Sequence, residues 1–322
     1  MKKVLKIIGI VLLSIVALIV LIAGGLMLKN HIDSRRPWLP DDYYTEFQSN
    51  AILEEKFAGL GPYEVSNTVI ESEDSAIQNI RIWYPAEIQS GSGKYPLIIL
   101  VNASNMAALN YEPFFKRLAS WGLIAAGNDD RQTGTGLSAS RTLDDILTLN
   151  TDSASKLYGK IDEDAIGIVG YSQGGAGSIR AVTEYNNSDR YKAIFTGSAA
   201  YAHLALMWGG CDASKVSIPW FMTAGTGKSD DAGAADITKE FGGVAPLSSL
   251  IENYNSMTDD VFKLKARVSG AEHEAMQIMT DGYMTAWMLY HLQGNSEAAG
   301  VFVGEGAEIL GNSGWQDVEK NG

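Results

Sequence analysis

Cysteine is nearly missing from this sequence: Cys211 stands alone among 322 residues. An internal disulfide is therefore excluded, and stability must come from packing rather than from cross-links. Histidine is scarce too, with four residues at 31, 203, 273 and 291. One cysteine and scattered histidines leave no metal-ligand spacing, so neither a metal nor a cofactor is expected. Basic residues are few: beyond residue 28 there are 22 Lys and Arg against 38 Asp and Glu. So acidic a surface repels phosphate backbones, and nucleic acid is not an expected partner. Low-complexity tracts and internal repeats are absent as well, and 46% hydrophobic residues suffice for one large core.

Charge is missing altogether from residues 7–28, "IIGIVLLSIVALIVLIAGGLML", which follow Lys2, Lys3 and Lys6. As a helix rising about 1.5 Å per residue, such a run covers roughly 33 Å, the thickness of a bilayer core. It exceeds the usual signal-peptide apolar region of about 7–15 residues, so an uncleaved anchor over residues 1–28 is expected. A signal segment cleaved near Ala23–Gly25, giving a secreted protein, is the alternative. The positive-inside rule then places a single-pass chain in the cell membrane with its main domain outside. Residues 29–50, mixing Pro, charges and aromatics without a period, read as a juxtamembrane linker. Residues 51–322 read as one catalytic domain.

Within that domain two β-branched and aromatic strands, "YEVSNTVIES" and "IQNIRIWYPA", predict an opening hairpin. Short continuous apolar runs then alternate with helical stretches: "LIILV", "LIAAGN", "AIGIV", "YKAIFTG", "IPWFMTAG" and "FKLKARV". Continuous runs are buried on both faces, so the expected class is α/β, with a mostly parallel central sheet covered by helices on both sides.

Between the run 165–169 and a glycine-rich helix lies Gly170-Tyr171-Ser172-Gln173-Gly174, a G-x-S-x-G sequence. With a strand before it and a helix after it, this is the pattern of a nucleophile elbow, in which a strained serine stands at a strand's carboxyl end and small neighbours avoid collision. The alternative is a small residue starting a tightly packed helix. A dinucleotide fingerprint does not fit, because G-x-G-x-x-G is not spelled here. A serine hydroxyl needs a base, and His273, in the loop "SGAEHEAM" after the last apolar run, lies at the same sheet edge as Ser172. An acid that orients the base should follow the run 218–224. Asp230 is the first candidate there, Asp231 the alternative, and Asp236 lies further on. For the oxyanion, the expected donors are the backbone N–H of Gln173 and that of Ser104 in the loop "NASN", with Ala103 as a neighbour that could replace it. The stretch "GNDDRQTGTG" could bring Asp129, Asp130 or Arg131 to the cleft, or form a solvated turn.

The segments "GYSQGG", "IPWFMTAGTGKSDD" and "GAEHEAM", in the order serine, acid, histidine, resemble the α/β-hydrolase superfamily, specifically its dienelactone-hydrolase and cutinase (polyester hydrolase)-like branch. "GPYEVSNTVI", "FFKRLASWGLIAAGND" and "YMTAWMLYHLQGN" extend the likeness over about residues 57–322. The resemblance implies an α/β-hydrolase fold, with Ser172 as nucleophile, His273 as base and the Gln173 N–H in the oxyanion hole. Three departures stand out. "GTGKS" precedes the first aspartate, where relatives place the acid directly after the strand, and Ala103 and Ser104 replace a glycine and an aromatic. The cysteine nucleophile of dienelactone hydrolases is also replaced by serine.

The expected function is a serine hydrolase cleaving small-molecule or lipid-like carboxylic esters through an acyl-enzyme, without a cofactor. Amide or peptide cleavage by the same residues is a second reading, and a non-catalytic surface binding protein on a hydrolase scaffold a third.

Overall fold

The computed structural model describes residues 15–29 and 36–322. Among the described residues, nine strands form a single sheet: β1 (Val65–Glu71), β2 (Asn79–Pro85), β3 (Tyr95–Val101), β4 (Ile124–Asn128), β5 (Ile161–Tyr171), β6 (Tyr191–Gly197), β7 (Trp220–Gly225), β8 (Lys263–Val268) and β9 (Trp315–Lys320). Their spatial order is β1-β2-β4-β3-β5-β6-β7-β8-β9. The pairings from β4 through β3, β5, β6 and β7 to β8 are parallel. At one edge β1 and β2 pair antiparallel and β2 joins β4 the same way, so the expected hairpin is present. At the other edge β9 lies antiparallel to β8.

The apolar runs explain the layering. Along β3, Ile98 and Leu100 belong to one core while Leu97, Ile99 and Val101 belong to the other, because successive side chains of a strand point to opposite faces. On the first face, Phe114, Phe115 and Leu118 from the helix Glu112–Ser120 and Tyr283, Trp287 and Leu289 from the helix Asp281–Gln293 pack on the sheet. On the second, the helices Leu137–Thr151, Gln173–Ala181 and Leu247–Ser256 contribute Leu143, Ile179 and Leu250. Both faces are covered, so the central strands carry apolar residues at nearly every position.

Residues 15–29 are helical, and Ile15, Val16, Leu18, Ile19, Val20, Leu21, Ile22, Leu26, Met27 and Leu28 are all exposed there. The expected span over residues 7–28 begins in residues 1–14, outside the described residues. Among the described residues, no helix is long and apolar enough to cross a membrane. The stretch read as a linker is in part packed on the domain: Leu39 and Tyr43 are buried.

Candidate active site

Ser172 directly follows β5 and immediately precedes the helix Gln173–Ala181, with φ 57° and ψ −123°. A non-glycine residue in this region is strained, and it persists only where its surroundings over-determine it. Its N–H donates to Gly197 O at 3.0 Å, and its carbonyl accepts from the N–H groups of Gly175 at 3.0 Å and Ala200 at 3.1 Å. The flanking glycines are obligatory for a concrete reason. A Cβ on Gly170 would lie 2.2 Å from Gly174 O, and one on Gly174 would lie 2.1 Å from Val101 O. The turn closes only because both side chains are absent.

His273 follows β8, and its Nε2 lies 2.9 Å from Ser172 Oγ. Its Nδ1 lies 2.6 Å from Asp230 Oδ1. Asp230 follows β7 and is wholly buried. Its other oxygen, Oδ2, accepts from Gly225 N–H at 2.7 Å and from the Ser198 hydroxyl. A buried carboxylate is tolerable only when its lone pairs are occupied in this way. The loops holding acid and base are tied together: the Ser229 hydroxyl donates to Glu272 Oε2 at 2.5 Å and accepts from His273 N–H at 2.7 Å.

Of the two candidate acids, only Asp230 reaches the imidazole. Asp231 is committed to Arg267, whose Nη1 is 2.7 Å from its Oδ2, and accepts from Leu247 N–H at 3.3 Å. The side chain of Asp231 points to a cation on β8, away from His273. Asp236 is occupied with Lys239 and Thr238. Despite the preceding "GTGKS", Gly225 N–H and Ser198 hold Asp230 beside His273.

Both expected oxyanion donors lack an acceptor among the described residues: no hydrogen bond runs from Gln173 N–H or from Ser104 N–H. The Ala103 N–H is already spent on the Tyr111 hydroxyl at 3.0 Å, so of the two loop residues Ser104 is the one left free. Gln173 N–H is the first of its helix, where the dipole also favours negative charge. Asp129 is paired with Arg81 at 2.9 Å, and neither it, Asp130 nor Arg131 lines the cleft.

Ser172 and His273 open into a cavity of about 310 Å³, bounded also by Trp38, Met106, Tyr111, Tyr171, Glu274 and Gln277. A cleft of this size and mostly apolar lining fits a small ligand. Several of these residues escape local sequence reading. Ser198 was findable, since it directly follows β6 at the same sheet edge. Trp38 and Met106 reach the cavity by long-range packing that no local pattern announces. Among the described residues, no group of three or more His, Cys, Asp or Glu side chains is gathered to hold a metal ion.

The family model described as "PETase: PET hydrolase-like" matches residues 48–305, well over half of the chain. The chain belongs to this PET hydrolase-like family. No curated protein matches it. As a member of that family it is an ester hydrolase on an α/β-hydrolase scaffold, and the mostly parallel nine-stranded sheet agrees with that membership. The matched stretch contains Ser172, Asp230 and His273, and ends before β9.

Proposed function

We propose that this PET hydrolase-like chain is a serine esterase acting on neutral carboxylic esters, with Ser172 as nucleophile, His273 as general base and Asp230 as the acid that orients it. The observation that carries the reading is the unbroken hydrogen-bonded line from buried Asp230 through His273 to a serine held at positive φ. Ser172 Oγ attacks the ester carbonyl carbon while its proton passes to His273 Nε2. The carbonyl oxygen becomes an oxyanion that the N–H groups of Gln173 and Ser104 stabilise. Collapse of the tetrahedral intermediate expels the alcohol, which takes the proton from His273. Water then attacks the acyl-serine, giving its proton to the same nitrogen, and the acid leaves as Ser172 is restored. Asp230 holds the tautomer in which Nε2 is free to accept and stabilises the imidazolium that forms.

Exchange of Asp230 for Asn separates this reading from its neighbour. Asp230→Asn lowers kcat on short-chain p-nitrophenyl esters by about 10⁴-fold, the scale expected when the orienting acid is lost. Asp231→Asn stays within a few-fold, since it touches Arg267 and not the base. The reverse order in steady-state assays would overturn the assignment.

We further propose that residues 7–28 anchor the domain to the membrane, with the catalytic domain outside. Support comes from the uncharged run and from the apolar side chains that the helical residues 15–29 expose on all sides, a pattern suited to lipid and costly in water. The full-length chain should stay in the pellet when membranes are washed with alkaline carbonate. Its release into the wash would contradict an anchor.

A further inference from the structure

Trp38 lies outside the stretch that the family model matches, yet it borders the same cavity as Ser172 and His273. It is held there by fixed contacts. Its N–H donates to Asn110 O at 2.8 Å, and Asn110 Nδ2 donates to Arg36 O at 2.7 Å. Leu39, the next residue, is buried. Further along, the Tyr43 hydroxyl donates to Asp281 Oδ2 at 2.5 Å and accepts from Arg117 Nε at 3.0 Å, within a fully buried cluster. Backbone pairing beside Trp38 and buried anchoring after it fix the segment against the domain. Trp38 nevertheless stays 45% exposed as a residue. A large aromatic residue on a segment fixed beside the nucleophile, itself nearly half exposed, gains free energy when an apolar group of a ligand covers its ring. The neighbouring lining contributes Met106 and Tyr111, which extend the apolar wall, and Glu274, whose carboxylate opposes an anionic ligand.

We infer that Trp38, from the segment preceding the family's core, is a specificity-determining residue that positions the flat apolar group of a neutral ester over the site. This rests on the serine-esterase reading above. It adds a wall to the substrate site that the catalytic domain as read from sequence, residues 51–322, does not contain.

The test compares full-length wild type, Trp38→Ala and Trp38→Phe in detergent, each on ethyl acetate, ethyl benzoate and benzyl acetate. In Trp38→Ala, KM for the two aromatic esters should rise about tenfold, the equivalent of about 1.4 kcal/mol, with kcat nearly unchanged. Hydrolysis of ethyl acetate should stay within about twofold, and Trp38→Phe should recover most of the aromatic preference. Equal effects on all three esters, or none, would overturn the inference while leaving the nucleophile assignment intact. A wild type that hydrolyses no ester and takes up no diisopropyl fluorophosphate would instead overturn the esterase reading, and this inference with it.

Discussion

At the scale of single residues, burial and pairing set His273 and His291 apart by chemistry. His273 has a carboxylate on one nitrogen and a hydroxyl on the other. His291 is the opposite case: it packs among Trp287, Phe262 and Tyr290, and its Nε2 has no hydrogen-bond partner among the described residues. Burial disfavours the imidazolium and pushes its pKa down to about 4. The unfolded chain therefore binds a proton on this side chain at a higher pH than the folded chain does. The stability contributed by neutral His291 is complete above the unfolded pKa of about 6.5 and is lost as pH falls through the folded value near 4. His291→Phe removes that titration and keeps an aromatic ring in the cluster. Its Tm should decline less steeply than the wild type's between pH 6.5 and pH 4. Parallel Tm profiles for the two chains would show that burial of this imidazole is not coupled to folding.

At the scale of elements, strand runs and glycine placement carried most of the information. "YKAIFTG" coincides with β6, and the elbow lies between β5 and its helix because β-branched residues give way to glycines at that boundary. The hairpin, the parallel order and the loop bearing His273 follow from similar patterns. Three elements escaped for physical reasons. β9, "WQDVEK", lies at the sheet edge with only Trp315 buried, so it lacks both a continuous apolar run and clean alternation. The helix Ile52–Ala58 spans about two turns, too short for a 3.6-residue period to emerge. The segment around Trp38 and Tyr43 has no local period at all, and its place is set by Asn110, Arg117 and Asp281 far along the chain. The choice between adjacent Asp230 and Asp231 was likewise beyond local pattern. Gly225 N–H and Ser198 hold Asp230 toward His273, and Arg267 holds Asp231 away from it.

At the scale of the whole molecule, the sheet brings three loops to one edge: the turn after β5, the loop after β7 and the loop after β8. Parallel strands make this unavoidable, because their carboxyl ends all face the same way and each delivers its following loop there. The helices on the two faces bury the strands that fix those loops, so the distances between Ser172, His273 and Asp230 are set by the core rather than by the loops alone. Segments outside the family match complete the arrangement, with Trp38 at the cavity and β9 closing the sheet. The measurement that tests the nucleophile most directly is intact-mass detection of a fluorophosphonate adduct on the full-length chain in detergent, beside Ser172→Ala and His273→Ala. An activated serine gives one adduct on the wild type, located to Ser172 by peptide mapping, and none on either variant within the same exposure. A folded wild type that stays unmodified, or an adduct that persists in Ser172→Ala, would contradict Ser172 as the nucleophile.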